Sequence, residues 1–394
     1  MDLHALLAHV IEVGGSDLHL KVGNVPLIRV DGDLLPVSGV PRLTEDDSIA
    51  VLDVVAARTP LKREAFMQTG DLDTAYAAEG IGRFRVNGFR QRGAISFAFR
   101  FVPKEVPSFG ALGLPPGVER LAEEHRGLIV VTGATGSGKT TTLAAMIDHV
   151  NRTRRQHIVT LEDPIEIVHD DRSCLVSQRE IGLDTESFQE ALRRVLRQDP
   201  DVILIGELRD EESARAALQA GESGHLVLST MHTIDAAETV GRLIELFPST
   251  KQQLVRQILA GTLRGVVSQR LLPRIGGGRV AAVEVMVNTA RIAELILDPA
   301  KTEEITRALE QGQYHQMQNF QQHLVQLVLD GLVDAEVAAA AASNRHDFEL
   351  ALAHAVRRRQ AEEAGFLVPE DDAAALARRF PETANAPGLR LAGG

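Results

Sequence analysis

Cysteine is nearly absent from this chain: among 394 residues there is one, Cys174. A single thiol excludes an internal disulfide and any zinc site built from a cysteine cluster. Long apolar runs are missing as well. The longest, around Leu332 to Ala342, are too short or too interrupted to span a bilayer. The opening segment MDLHALLAHVIEVGGSD has no basic residue ahead of its apolar stretch, and Glu12 and Asp17 interrupt it. It does not read as a secretory signal, so a cytoplasmic location is expected. Positive charge is scarce, with 42 Lys and Arg against 54 Asp and Glu and a formal net charge of −12. No basic run is longer than Arg357-Arg358-Arg359. A protein whose main task is gripping nucleic acid usually shows a basic domain or face. No nucleic-acid partner is therefore expected. The length suggests two or three domains with ample material for a core.

What the chain does have is Gly133-Ala134-Thr135-Gly136-Ser137-Gly138-Lys139-Thr140, a complete GxxxxGK[ST] phosphate loop. It follows the apolar run Leu128-Ile129-Val130-Val131-Thr132 and precedes the helix-like stretch from Thr141 to Ile147. That strand–loop–helix context is what the motif requires. Glycines let the backbone curl so that successive N–H groups point at phosphates, and the helix N-terminus adds partial positive charge. Lys139 is expected on the β- and γ-phosphates and Thr140 on magnesium. ATP and Mg2+ are the expected cofactors.

The remaining pattern divides into three parts and a tail. Residues 1–103 alternate short apolar strands with turn signals. Pro26 to Val30, Asp31-Gly32-Asp33 and Leu34-Leu35 read as a hairpin with an Asp-Gly turn. Thr44 to Arg58 and Leu61 to Gln68 read as helices, and Gly82 to Val102 as two more strands. This is an α+β domain. Prolines and glycines over 104–116 mark a linker. Residues 117–288 alternate helices with β-rich runs at Leu128–Thr132, His157–Leu161, Val202–Ile205, Leu226–Ser229 and Arg279–Val287, which indicates a doubly wound, mostly parallel α/β sheet. Residues 289–358 read as helices, and 359–394 as a partly disordered tail.

Acids follow strands at two places, where ligands bind in open α/β sheets. One cluster is Glu162-Asp163-Pro164-Ile165-Glu166; the other is Glu207, after Val202-Ile203-Leu204-Ile205-Gly206. An apolar strand ending in an acid is the Walker B pattern, in which the acid holds magnesium directly or through water. His225 and His232 flank the run Leu226 to Met231, and His232 lies beyond its end. In the first domain, five arginines (Arg83, Arg85, Arg90, Arg92, Arg100) and no acid lie between Ile81 and Val102. Strand alternation puts Ile95, Phe97, Phe99 and Phe101 on one face and Arg100 on the other. Such a patch suits bidentate phosphate binding.

Together these stretches resemble the secretion-type hexameric ATPases, above all the type IV pilus retraction branch. The resemblance rests on GATGSGKTTT, TLEDPIE, DPDVILIGELRD and GHLVLSTMHT, in that order and at family-like spacing, with GSDLHL, GRFRVNGF, QRLLPR and FELAL beside them. It implies a PAS-like N-terminal domain, a RecA-like P-loop ATPase domain, a C-terminal helical region and a ring of six. ATP would sit between the two domains. Gly133, Thr135, Gly136, Ser137, Gly138, Lys139, Thr140 and Thr141 would hold it, together with Arg85, Arg92 and Arg100. Glu166 would position or activate water with Glu162 in support. Glu207 would hold the magnesium shell through water, with Thr140 on the ion, and His232, with His225 behind it, would sense the γ-phosphate. The implied partner is an inner-membrane pilus platform protein, through which alone the ATPase would touch the inner face of the membrane.

One stretch departs from the branch: an AIRNLIRE-like run is replaced by Ala290-Arg291-Ile292-Ala293-Glu294-Leu295-Ile296-Leu297-Asp298, without its basic end. The resemblance links that run with retraction rather than with hydrolysis. Pilus assembly or type II secretion ATPases are the alternative within the superfamily. They usually carry a longer N-terminal region and a paired CxxC motif, which this chain lacks. A RecA-like nucleic-acid translocase is the alternative from another class.

Overall fold

The computed structural model describes residues 1–57 and 59–363. The first hundred residues form α1 (Leu3–Glu12), β1 (Asp17–Lys21), β2 (Leu27–Val30), β3 (Asp33–Pro36), α2 (Glu45–Val55) and α3 (Pro60–Thr69). They close with β4 (Asp71–Ala78), β5 (Gly82–Gln91) and β6 (Ala94–Val102). Next come α4 (Pro116–Ala122), β7 (Gly127–Thr132), α5 (Lys139–Thr153), β8 (His157–Glu162), β9 (Leu175–Glu180) and α6 (Phe188–Val195). They are followed by β10 (Val202–Ile205), α7 (Glu211–Glu222), β11 (Leu226–Met231), α8 (Ala236–Glu245), α9 (Gln252–Thr262), β12 (Leu263–Pro273) and β13 (Arg279–Val287). The last elements are α10 (Ala290–Leu297), α11 (Ile305–Glu310), α12 (Phe320–Leu329), α13 (Ala335–Ala341) and α14 (Arg345–Glu363).

Contacts divide the chain into two units: Met1–Val106 with Arg154–Pro200, and Pro107–Thr153 with the described chain from Asp201 on. The segment carrying β8, β9 and α6 thus groups with the first hundred residues.

In the first unit six strands run in the order β3-β2-β1-β6-β5-β4, and every pairing is antiparallel. The β2–β3 turn places Asp31 at φ 49 and Gly32 at φ 96, the left-handed pair that a two-residue hairpin demands. One face of the sheet is apolar by alternation: Phe97 and Phe99 are buried while Arg100 is exposed. Phe84, Val86, Leu18 and Leu20 join them in a core closed by α1 to α3. Thr44 and Asp47 cap α2 reciprocally. That helix stops at Val55, short of the expected end at Arg58, which lies outside the described residues. In the same unit β8 and β9 pair in parallel.

The second unit orders its strands β13-β12-β7-β11-β10. The pairs β12–β7, β7–β11 and β11–β10 are parallel, and β13 is antiparallel on β12. β7, β10 and β11 are buried at every residue, which is why they read as continuous apolar runs. Beyond β13 the described chain is helical, and α12 to α14 close a second core around Phe320, Leu324, Phe348 and Leu352. No helix among the described residues is long and apolar enough to cross a membrane. The expected tail falls largely beyond residue 363, outside the described residues.

Candidate active site

In the second unit the phosphate loop joins β7 to α5. Gly133, Gly136 and Gly138 hold φ of 137, 80 and 91, conformations that side chains rarely adopt. At Gly133 a Cβ would lie 2.4 Å from the Gln269 carbonyl oxygen and 2.6 Å from Ser137 Oγ. The loop is therefore wedged against β12 by backbone alone. Lys139 Nζ donates to the carbonyls of Gly133 at 2.7 Å and Ala134 at 3.1 Å. Thr135 is exposed, whereas Thr140 and Thr141 are half-buried at the head of α5. Ser137 Oγ is buried and without a hydrogen-bond partner among the described residues.

Beside the loop, β10 and β11 are stitched together at their C-terminal ends. Ser229 Oγ donates to the Ile205 carbonyl and Thr230 Oγ1 to the Gly206 carbonyl, each at 2.6 Å. The Leu208 N–H returns a bond to the Thr230 carbonyl at 3.0 Å. This stitching fixes the residues that follow each strand. Glu207 Oε1 stands 3.3 Å from His232 Nε2, and Glu207 Oε2 accepts from Arg209 Nε at 2.8 Å. The loop after His232 is tethered by the buried Thr233–Thr239 hydroxyl pair at 2.7 Å. It is tethered again where the first N–H of α8, on Ala236, donates to Glu284 Oε1 at 2.8 Å.

The parallel pairing of β11 with β7 aligns Met231 with Thr132, so His232 leaves the sheet at the same end as the phosphate loop. His225 does not join them. It sits at the other end of β11, one full strand or about 20 Å away. Its Nδ1 lies 3.0 Å from both the Ala220 carbonyl and Ser223 Oγ, within the turn that ends α7.

In the first unit a second cluster forms where β8 ends. Glu162 is 8% exposed, and its Oε1 accepts from Thr160 Oγ1 at 2.7 Å and Gln178 Nε2 at 3.0 Å. Burial pushes this carboxyl above its ordinary value, while those two donors and the Glu166 backbone N–H pull the other way. Glu162 is thus enclosed in its own hydrogen bonds, and Glu166 is exposed at the end of the loop it helps to hold. Glu180, on β9, holds the same loop. Its Oε2 accepts from the Ile165 N–H at 3.2 Å and from Arg83 at 2.5 Å, with Glu180 only 1% exposed. Sequence reasoning missed Gln178 and Glu180 because β9, LVSQRE, is too polar to read as a strand. The signal was the alternation of Val176, Gln178 and Glu180.

The five arginines do not make an acid-free patch; acids from other strands meet three of them. Arg83 takes Glu180, Arg85 stands 3.5 Å from Asp73, and Arg100 Nε donates to Asp17 at 2.8 Å. Arg90 lies over the Phe66 ring. Arg92 occupies the β5–β6 turn at φ 51. Arg85 and Arg100 are directly opposite each other, whereas Arg92 is seven residues further along, roughly 20 Å away. Asp17 is buried, which raises its carboxyl, but the Ser16 hydroxyl and Arg100 outweigh burial and hold it below its usual range.

The model of the family described as type II/IV secretion system protein matches residues 2–277. The chain belongs to that family. It is 43% identical over 348 residues to the type IV pilus retraction ATPase PilT of Pseudomonas aeruginosa, covering 88% of this chain and all of that protein. It is 39% identical over 351 residues to the type IV pilus ATPase PilU of the same organism, covering 89% and 91% of the two chains. A crystal structure of the pilus retraction motor PilT with bound ADP superposes with a TM-score of 0.81 at 42% identity, over 89% of this chain and 99% of that one. The chain is therefore a PilT-like ATP hydrolase of the secretion ATPase superfamily. Its fold is a RecA-like ATPase domain with an N-terminal PAS-like domain and a C-terminal helical region.

Magnesium would come to this site with its nucleotide. No group of three or more His, Cys, Asp or Glu able to hold a metal occurs among the described residues. A threonine hydroxyl and one carboxylate suit an ion that keeps water and phosphate oxygens as its other ligands.

Proposed function

We propose that this chain is the ATP-driven motor of type IV pilus retraction, working as a homohexamer at the inner face of the cell membrane. It would act on a platform protein there, so that pilin subunits leave the base of the fibre. The observation that carries this reading is the identity to a retraction ATPase along that protein's entire length, combined with an intact phosphate loop beside a Glu207–His232 pair.

Each residue then has a task. The loop N–H groups cradle the phosphates, and Lys139 exchanges two backbone carbonyls for phosphate oxygens. Thr140 and Glu207 would hold magnesium, which would supply charge neutralisation at the β- and γ-phosphates. Glu166 orients the attacking water, and the enclosed Glu162 keeps its loop in place. As water bonds to the γ-phosphorus, the bond to the bridging oxygen breaks and ADP leaves. His232, linked to Glu207, positions the γ-phosphate. Arg85 is suited to neutralise phosphate charge, because its exposed ion pair with Asp73 is worth little and exchanges readily, whereas Arg100 would turn to a phosphate only by leaving the buried Asp17 carboxylate to Ser16. Arg92, at the far end of the hairpin, would meet a nucleotide only on its own. Sequential firing around a ring would couple hydrolysis to rotation of rigid units.

The test is ATP turnover of the wild type and Glu166→Ala, with mass by light scattering, in the presence and absence of duplex DNA. A hexamer whose DNA-independent turnover disappears in the variant is the expected result. A monomer stimulated by DNA, or a variant as active as the wild type, would overturn the motor or the water-orienting role respectively.

A further inference from the structure

A cleft of about 1000 Å3 in the second unit lies far from the phosphate loop. It opens beside the start of β7, where Leu128 pairs with Leu263, a full strand from Gly133 and so about 20 Å away. Its walls come from α4 and the loop after it, the ends of β12 and β13, and α10 with α11.

Charge distinguishes it. Arg120, Arg126, Arg264, Arg291 and Arg307 line the cleft, against two acids, Glu124 and Glu304. This excess of positive charge belongs to a chain of net charge −12. Glu124 approaches Arg264 at 3.7 Å and Glu304 approaches Arg291 at 3.4 Å. Arg120 donates to the His315 carbonyl at 3.1 Å. Arg126 and Arg307 are exposed and have no ion-pair partner among the described residues. Arg291 is met by Glu294 as well, at 3.6 Å, so the uncompensated charge of the cleft is that of Arg120, Arg126 and Arg307, which favours an anion there. Next to the lining residue His315 stands Tyr314, which is 92% exposed and meets the imidazole edge-on at 5.3 Å between centroids.

We propose that this cleft is a docking site for an acidic segment of a partner protein. Three physical features select that occupant. Guanidinium forks match carboxylates bidentately. The surface is concave, so a flat bilayer face or a rigid duplex cannot bring its charges to the walls, whereas a chain segment can enter. Over distances beyond about 10 Å the net negative charge of the molecule disfavours an extended polyanion, and a short acidic segment meets only the local field. Tyrosine and arginine together are the composition of protein interfaces, and Tyr314 supplies an amphipathic anchor at the rim. The site is separate from the nucleotide chemistry and does not depend on any assignment made there.

The experiment uses the full-length chain and a fluorescein-labelled octaglutamate peptide, followed by fluorescence anisotropy at low and at physiological salt. Competitors are vesicles of phosphatidylcholine with phosphatidylglycerol, and a short DNA duplex. The double charge reversal Arg126→Glu with Arg307→Glu should weaken peptide binding by about tenfold or more. Tyr314→Ala should weaken it less, and ATP turnover should stay within about twofold of wild type in both. A melting transition like that of wild type certifies the fold. Should the reversal abolish that transition, the milder pair Arg126→Gln with Arg307→Gln takes its place, with the same direction of effect expected. Unchanged peptide binding in the folded variants overturns the proposal. So does peptide binding absent from wild type while vesicles or duplex bind and lose affinity in the variants. Loss of the oligomer on charge reversal also overturns it, because the cleft would then be a contact between copies of this chain.

Discussion

Replacing Glu284 by glutamine should change how stability depends on pH, and the size of the change follows from where the residue sits. Glu284 is 3% exposed in the middle of β13. Its carboxylate receives the first N–H of two helices, Ala236 of α8 and Phe320 of α12. Burial nonetheless dominates, and the repulsion of Asp235 adds to it, while the two N–H groups and Arg270 pull the other way; the outcome is a carboxyl pushed up from 4.5 to about 7. His323 on α12 faces the same strand, accepting the Val283 N–H at 2.8 Å. Burial drives this imidazole down from 6.5 to about 4, with Asp330 opposing, so it is uncharged at neutral pH.

Linkage gives the two groups opposite signs. The folded protein holds the Glu284 proton more tightly than the unfolded chain, so the contribution is full below about 4.5 and lost as pH rises through about 7. At ~1.4 kcal/mol per pH unit, that loss is about 3 kcal/mol. His323 contributes stability above 6.5 that is lost as pH falls through about 4, again about 3 kcal/mol. Between pH 5 and 6.5 the two slopes nearly cancel. Glu284→Gln keeps one oxygen acceptor in place of two, a cost that does not vary with pH, and removes one slope only. Urea unfolding at intervals from pH 5 to 8 should show the variant gaining on wild type as pH rises, by about 3 kcal/mol across the range. A difference between the proteins that is constant with pH, or that grows toward acid, would refute this reasoning.

Other perturbations test the nucleotide site. Arg83→Ala leaves the Glu180 carboxylate buried and unpaired, a loss of about 3–5 kcal/mol; the melting temperature should fall. Because Glu180 also holds the Ile165 N–H, kcat should fall more than KM rises, and equal effects on both would argue against a role in placing Glu166. Gly133→Ala forces a Cβ to within 2.4 Å of the Gln269 carbonyl; calorimetry should detect no ATP binding, and retained affinity would mean the loop and β12 separate easily. Glu207→Gln should lower turnover by about 10²–10³-fold and raise the magnesium concentration needed for half-maximal rate. His232→Ala should lower turnover without that change in magnesium demand, which a titration of rate against magnesium distinguishes.

Much of the fold was legible because its buried strands carry uniform apolar runs and its turns carry the residues their geometry demands. Val202–Ile205 and Arg279–Val287 begin and end where the sequence pattern puts them. The two strands that pattern reading missed at the site fail for one reason. In β9 and β12, polar residues such as Gln178, Glu180, Ser268 and Gln269 occupy positions that strand patterns reserve for apolar ones. Three of them are polar because they face another polar group: Gln178 bonds Glu162, Glu180 bonds Arg83, and Ser268 accepts from Thr132. Strands that support a site sacrifice the hydrophobic signal by which strands are found.

The arginines show where sequence reasoning meets its limit. An acid-free window says nothing about charge in space, because neighbours across a sheet are set by register. Asp17 stands opposite Arg100, Arg100 opposite Arg85, and Asp73 lies diagonal to Arg85, so four charges from four strands form one row. The same register separates the arginines by what they can do. Arg83 faces a carboxylate that is 1% exposed, and releasing it would strand a buried charge. Arg85 and Asp73 are both about half exposed, and water takes over their pairing at almost no cost. A phosphate that approached this sheet would therefore draw first on Arg85, and would leave Arg83 on Glu180 and Arg100 on the buried Asp17. Equal side chains two residues apart on one strand are divided by burial into a movable charge and a fixed one.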